Sequence, residues 1–181
     1  MNDKKLRKLV TAALFAALAC IATLVIQLRI SPNGGYVNLG DSIVLLCAWI
    51  LSPAYGMAAA GIGSMLADMI SGYFYYAPAT LVVKALMALA GGAVFRAVTK
   101  RARAHILAGC ILSAAVAECI MAGGYYVFEA FVLGFGPVGA LASMPGNGIQ
   151  ALCGAIAGTV VYLLLRRNKT LQQRLEEPED L

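Results

Sequence analysis

Polar side chains that could bind a solute interrupt the apolar stretches of this sequence at a few positions. They are four acids, one base and three amides: Asp41, Asp68, Glu118, Glu129, Lys84, Asn38, Asn147 and Gln150. Of the 181 residues, 61% are hydrophobic and 13% are charged. A charge inside an apolar stretch is costly, so such a residue indicates a functional site. Asn147 and Gln150 are three apart, which places them on one face of a helix.

Aromatic residues accompany these polar groups along the chain, chiefly Tyr36, Tyr73, Phe74, Tyr75, Tyr76, Tyr125 and Tyr126. Aromatic faces with a few hydrogen-bonding groups suit a flat, polar heterocycle, and we expect Tyr76 and Tyr125 to contact it. Tyr73 and Tyr75 fit a belt at the membrane interface equally well.

Three of the polar predictions have a structural alternative. Asp68 and Lys84 could neutralise each other as an ion pair instead of contacting a ligand. Asn147 and Gln150 could cap or cross-link helices. Glu118 lies deeper than the others, and a buried, unpaired carboxyl group favours its neutral form.

No pattern in the sequence predicts catalysis, a metal site or a cofactor. The motifs GxxxxGK[ST], HExxH and GxSxG are absent, as is any pair of cysteines in a CxxC pattern. With one histidine, a metal cluster is not expected. The net charge of +5 comes from basic residues that flank apolar runs, so we predict contact with a lipid bilayer and not with nucleic acid.

The apolar runs predict an all-α integral membrane protein, a six-transmembrane-helix bundle. The expected spans are 7–28, 40–52, 55–71, 79–98, 105–128 and 146–166. Together they form one domain over residues 1–169, followed by a polar cytoplasmic tail at 170–181. The second and third spans are short for a crossing, which tilt or local thinning of the bilayer could accommodate.

Basic residues predict the orientation of this bundle. All but two of the 14 lysines and arginines lie at the N-terminus, in or beside the connection between the fourth and fifth spans, or at the end of the sixth span and in the tail. The positive-inside rule makes that side cytoplasmic, so both termini face the cytoplasm of a multi-pass plasma-membrane protein. The polar groups then converge on the outer third of the bundle, beneath the glycine-rich stretch NGGYVNLGD.

Small residues spaced by four occur in the first and third spans. In the third span, Gly56, Ala60 and Ser64 favour close packing inside the monomer. In the first, Ala12/Ala16 and Ala13/Ala17 could pack in the same way or could dock a partner protein.

Over nearly its whole length, the chain resembles the substrate-binding S components of energy-coupling factor (ECF) vitamin transporters, and most of all their riboflavin-type branch. The segments that carry the resemblance are TAALFAALACIATLVIQ, residues 34–92 (which begin GGYVNLGD), AECIMAGGYYVFEAFVLGFG and SMPGNGIQALCG. It implies capture of a vitamin outside the cell, with a membrane T component and two ATPase subunits supplying the energy. It also implies that the alanine face of the first helix docks on the T component and that the S component topples in the membrane. The implied substrate contacts are Asn38, Asp41, Lys84, Tyr125, Asn147 and Gln150.

Two other functions remain open from the residues alone. A stand-alone secondary transporter could use Asp68, Lys84 and Glu118 as a proton relay, and a small membrane enzyme would need a nucleophile and base that the sequence does not offer. A proton relay should continue beyond Glu118 into the cytoplasmic half of the bundle, where His105 is the only candidate. The substrate is also open: riboflavin, a pyrimidine precursor of thiamine and a pyridoxine-type vitamin all fit.

Overall fold

The computed structural model describes residues 3–28, 33, 36–101 and 105–168. Its helices are α1 (Asp3–Val25), α2 (Gly40–Ile50), α3 (Pro53–Ile70), α4 (Ala77–Arg101), α5 (Ile106–Val127), α6 (Gly136–Ala140) and α7 (Met144–Arg167). Two short antiparallel strands, β1 (Gln27–Leu28) and β2 (Val37–Asn38), join α1 to α2. The predicted tail at 170–181 lies outside the described residues.

Helix α2 forms the centre of the bundle. Nearly all of its 11 residues are buried, and α1, α3, α4 and α7 pack around it. At 1.5 Å per residue it is about 16 Å long, roughly half the thickness of a bilayer core. The chain then extends through Leu51, and Pro53 begins α3, where the missing N–H of proline costs no helical hydrogen bond. The short second run therefore forms a protein-enclosed core helix.

Glycines set the close spacing of α3 against its neighbours. A Cβ added at Gly63 would lie 2.3 Å from the carbonyl oxygen of Ala16 in α1. At Gly61 it would lie 2.8 Å from the carbonyl oxygen of Leu81 in α4. Backbones at these crossings touch because no side chain intervenes, as expected for small residues in membrane bundles.

The alanine face of α1 divides into two sides. Ala12 is buried, and Ala16 packs on Gly63 of α3, whereas Ala13 and Ala17 are exposed. The docking role of the four alanines stays a prediction, although Ala12 and Ala16 are less exposed than Ala13 and Ala17. Residues four apart share a side of a helix, so the two predicted pairs lie on different sides of α1.

Four helical stretches are long and apolar enough to cross a membrane: Asp3–Val25, Ala77–Lys100, Ile106–Val132 and Gly136–Arg167. Helix α2 is apolar but shorter. Each of the six predicted spans coincides with one of the helices described above, but length and composition indicate a crossing for four of them. A count of six crossings stays a prediction.

The connection predicted as a long loop between the last two spans is mostly helical. Helix α5 continues into a π-helical turn at Phe128–Val132, and α6 and a 3₁₀ turn at Leu141–Ser143 lead into α7. Gly134 and Gly136 adopt positive φ angles of 76° and 72°, which break the path between α5 and α6. These turns bring Glu129 and Ser143 over one end of the bundle.

Candidate functional site

A cavity opens at one end of the bundle, with about 600 Å³ of empty space that includes open solvent at its mouth. The C-terminal ends of α1, α3 and α5, the N-terminal ends of α4 and α7, and strand β2 surround it. Its lining residues are Thr23, Tyr36, Val37, Asn38, Ser64, Asp68, Tyr73, Tyr76, Thr80, Lys84, Tyr125, Glu129, Ser143, Gly146, Asn147 and Gln150. The basic residues at the start of α1 and the ends of α4 and α7 lie at the opposite end.

Helical spacing explains why the polar side chains reach this cavity together. Tyr76, Thr80 and Lys84 follow one another at intervals of four where α4 begins, and Ser64 and Asp68 are four apart in α3. Residues four apart lie one above the other on the same helix face, so each helix presents a polar stripe to the cavity.

A buried hydrogen-bond network forms the floor. The ammonium group of Lys84 donates to Asp41 Oδ1, and Gln150 Nε2 donates to Asp41 Oδ2 at 2.7 Å. Gln150 Oε1 accepts from both the backbone N–H and the side-chain amide of Asn38, at 3.0 and 3.2 Å. Asn38 Oδ1 in turn accepts from the N–H of Gly40, where α2 begins. The network ties α2, α4 and α7 to the strand pair.

Lys84 forms its ion pair with Asp41 and not with Asp68. Asp68 Oδ1 accepts a hydrogen bond from the Tyr36 hydroxyl at 2.5 Å. The structural alternative in which Asp68 and Lys84 neutralise each other is therefore not the arrangement seen here, because α2 brings Asp41 directly against α4. Burial, and then the charge of Asp68, raise the pKa of the Tyr36 hydroxyl, so this group remains a donor.

Hydrogen bonds connect Asn33 and Tyr76 to Glu129 in the π-helical turn. Asn33 Nδ2 lies 3.0 Å from three acceptors, Glu129 Oε2, the carbonyl oxygen of Gly139 and Ser143 Oγ, which share its two hydrogens. The Tyr76 hydroxyl donates to Glu129 Oε1 at 3.0 Å. Each oxygen of Glu129 therefore accepts a hydrogen bond from within the protein.

Three lining residues have a buried polar atom for which the described part of the chain offers no hydrogen-bond partner. They are Ser64 Oγ, Asp68 Oδ2 and Asn147 Nδ2. A buried polar atom left unpaired costs about 1–3 kcal/mol, so such atoms at a cavity wall indicate groups that a ligand completes.

Aromatic rings cover the sides of the cavity. The rings of Tyr36 and Tyr73 pack against each other with their centroids 4.8 Å apart, and the centroids of the Tyr76 and Tyr125 rings are 6.3 Å apart. Lys84 Nζ lies 5.5 Å from the centre of the Tyr125 ring. The wall therefore combines four tyrosine rings with ten polar or charged side chains, which suits a flat organic molecule that also makes several hydrogen bonds.

Eight of the ten residues predicted to bind substrate line the cavity: Asn38, Asp68, Tyr76, Lys84, Tyr125, Glu129, Asn147 and Gln150. Asp41 and Glu118 lie beneath it instead. A Cβ at Gly154 would meet Asp41 Cβ at 2.7 Å and Glu118 Oε1 at 3.1 Å, so both acids flank this glycine. Both Glu118 oxygens are buried, and no described residue lies within hydrogen-bond geometry of either one.

Sequence reasoning missed several hydroxyl and amide groups of the site, namely Thr23, Asn33, Ser64, Thr80 and Ser143. For Ser64 and Thr80 a signal existed, because each lies four residues from a predicted site residue on the same helix face. Asn33 depends on a long-range contact that no local pattern indicates. Among the described residues, no group of three or more histidine, cysteine or acidic side chains could hold a metal ion.

Comparisons with known proteins agree with this architecture. A family model described as the ECF-type riboflavin transporter, S component, matches residues 3–167. An uncharacterized protein of Pyrococcus woesei is 36% identical over 148 residues, which are 81% of this chain and 94% of that protein. A solved structure of the S component of a bacterial ECF transporter has a similar fold, with a TM-score of 0.66 and 17% identity over 90% of this chain and 97% of that one. The chain therefore belongs to the family of ECF-type riboflavin transporter S components, which are substrate-binding membrane proteins and not enzymes.

Proposed function

We propose that this chain captures riboflavin, or a similar flat heterocyclic vitamin, from outside the cell in the cavity at the end of the bundle. The single observation that carries the proposal is the cavity wall itself. It combines tyrosine rings with the unpaired polar atoms of Ser64, Asp68 and Asn147.

The orientation in the membrane follows from the distribution of charge. The basic residues that begin α1 and end α4 and α7 lie at the end opposite the cavity. Under the positive-inside rule that end is cytoplasmic, so the cavity faces outwards and both termini face inwards. In this arrangement α2 and α3 complete six crossings, with the short α2 enclosed by its neighbours, where the bilayer does not reach its backbone.

Energy for uptake comes, in this proposal, from a T component and two ATPase subunits. The exposed side of α1 that contains Ala13 and Ala17 is the docking surface for the T component. These side chains are exposed, and they are small enough for another helix to approach closely. Ala12 and Ala16 contribute indirectly, by holding α1 against α3.

Packing below the cavity disfavours a stand-alone proton-coupled transporter. Beneath Glu118 the described core consists of buried apolar and aromatic residues, including Trp49, Phe95 and Tyr162. Ser113 is also there, but its hydroxyl accepts a hydrogen bond from the indole N–H of Trp49 at 2.7 Å. A relay through Asp68, Lys84 and Glu118 would therefore end at a packed core.

Titration of the purified protein with riboflavin tests the binding proposal. We expect saturable quenching of flavin fluorescence at one site per chain, and loss of affinity when Asn147 is replaced by alanine. A matched control is Gly123→Ala, because a Cβ at Gly123 meets nothing within 4 Å. Absence of saturable binding of riboflavin, a thiamine pyrimidine or pyridoxine would refute the proposal.

Replacement of the exposed alanines tests the docking proposal separately. Ala17→Trp should abolish uptake into cells that express the T component and ATPases while leaving vitamin binding intact, because Ala17 lies near the middle of α1, away from the cavity. Full uptake by this variant would exclude that side of α1 as the docking surface.

A further inference from the structure

We infer that the connection between α5 and α7 is embedded in the bilayer, at the boundary between headgroups and acyl chains of the leaflet nearest the cavity. The part concerned is residues 130–142, the cap segment. Its partner is lipid, although its position between two crossings would place it in water as a surface loop. The inference concerns a surface outside the cavity and does not depend on the identity of the vitamin.

The side chains of the cap segment are all apolar. Its sequence is AFVLGFGPVGALA, without one polar side chain. Val138 is 83% exposed and Phe131 is 68% exposed, and Val132, Phe135 and Leu141 are exposed as well. A connection that faces water is normally built from polar and turn-forming residues. Exposed apolar side chains gathered in one short segment indicate contact with a membrane or with another protein.

The apolar sequence around α5 is longer than one crossing requires. Helix α5 has 22 residues, which span about 33 Å, and the hydrocarbon core of a bilayer is about 30 Å thick. The apolar stretch nevertheless continues to Val132, and the next one begins at Gly136. A bilayer accommodates such excess length by tilting or bending of the chain. The positive φ angles of Gly134 and Gly136 provide a bend here.

The backbone of the connection is hydrogen-bonded in the way that an embedded segment requires. A π-helical turn, α6 and a 3₁₀ turn make up most of it. Where the π-helical turn ends, the N–H of Leu133 donates to the carbonyl oxygen of Phe128 at 3.0 Å. The N–H of Phe135 donates to the carbonyl oxygen of Glu129 at 3.1 Å. Backbone in contact with lipid must satisfy its polar groups within the protein, because water is scarce there.

Continuity with the neighbouring helices identifies the partner as lipid. The exposed apolar side chains of α5 extend to Val127, and those of α7 begin at Ile149. The lipid-facing surface of two crossings therefore meets the cap segment without a polar boundary. A protein interface typically has a polar rim with hydrogen bonds. From residue 106 to residue 165 the only charged residues are Glu118 and Glu129, and both are buried.

The cap segment is joined to the wall of the cavity. Ala140 is fully buried, and the Tyr126 hydroxyl donates to the carbonyl oxygen of Pro137 at 3.2 Å, which ties α6 to α5. Glu129 and Ser143, which flank the segment, both line the cavity. An embedded cap segment therefore holds the mouth of the cavity at the membrane surface.

The test introduces a tryptophan into the cap segment of the full chain, reconstituted in phosphatidylcholine vesicles. Phe131→Trp exchanges one exposed ring for another, and Val138→Trp provides a second position. The one native tryptophan, Trp49, is buried and gives the same background in every variant. Ile156→Trp, exposed in the middle of α7, is the control for contact with acyl chains, and Lys5→Trp, exposed where α1 begins, is the control for contact with water.

The depth of each tryptophan is measured by fluorescence quenching. We expect lipids brominated near the headgroup end of their acyl chains to quench both cap variants strongly. Iodide in the aqueous phase should quench them several-fold less than it quenches Lys5→Trp. Ile156→Trp should respond most to lipids brominated near the ends of their chains.

Two results would overturn the inference. Quenching of the cap variants by iodide as strong as that of Lys5→Trp, without quenching by brominated lipid, would show that the segment faces water. Protection from both quenchers would show that a second copy of this chain covers it. If Val138→Trp does not fold, Phe131→Trp decides between these outcomes, since it preserves an aromatic ring at an exposed position.

Discussion

Removal of one partner from the Lys84–Asp41 pair should destabilise the protein far more than removal of both. In Lys84→Met, the carboxylate of Asp41 stays buried with Gln150 as its remaining hydrogen-bond partner. Breaking a buried ion pair in this way costs about 3–5 kcal/mol. The double variant Asp41→Asn/Lys84→Met removes both charges of the pair and keeps an acceptor for the amide of Gln150, so its loss should be smaller.

The expected changes are large enough for a thermal assay. For a chain of this size, 1 kcal/mol corresponds to about 2–4 °C, so Lys84→Met should lower the unfolding temperature by roughly 6–20 °C. Unfolding of wild type, both single variants and the double variant in one detergent forms a double-mutant cycle. A positive coupling between the two positions is expected, because they share one network. If the two single substitutions lower the free energy of unfolding additively, Lys84 and Asp41 do not stabilise each other as a pair.

Three further predictions follow from particular contacts. Asn147→Ala should weaken vitamin binding by about 1–3 kcal/mol, measured by calorimetry, because the ligand loses one buried hydrogen bond; unchanged affinity would remove this residue from the site. Gly63→Ala should lower the unfolding temperature, because its Cβ would lie 2.3 Å from the carbonyl oxygen of Ala16. The control variant Gly123→Ala should leave the unfolding temperature unchanged. Equal effects of the two substitutions would contradict the described packing of α1 against α3. Glu118→Gln should preserve binding and ATP-driven uptake, because neither carboxyl oxygen has a hydrogen-bond partner; loss of uptake with intact binding would support a proton relay instead.

The sequence predicted the helices well because their apolar runs are long and their ends are marked by local signals. Pro53 begins α3, and the basic clusters mark the ends of α1, α4 and α7. The prediction was less successful between α5 and α7, where the positive φ angles of Gly134 and Gly136 shape a helical connection that has no simple periodicity.

At the site, the predicted residues mostly meet at the cavity, because each lies near the same end of its helix. The partners of the charged groups could not be predicted in this way. Whether Lys84 reaches Asp41 or Asp68 depends on how α2 rotates between α3 and α4, which is a property of packing and not of spacing. For the same reason, the sequence could not predict which alanines of α1 are buried. Ala12 and Ala13 are adjacent in the chain, and only the packing of α1 against α3 determines that Ala12 is buried and Ala13 is exposed.

The most direct test of vitamin capture is to identify the small molecule that stays bound to the protein through purification. Native mass spectrometry of protein purified from cells grown in rich medium should show one ligand per chain, and the released molecule should be a flat heterocycle that excess riboflavin or a similar vitamin displaces. A cavity that holds no organic solute, or only lipid, after purification and after incubation with these vitamins would contradict the account.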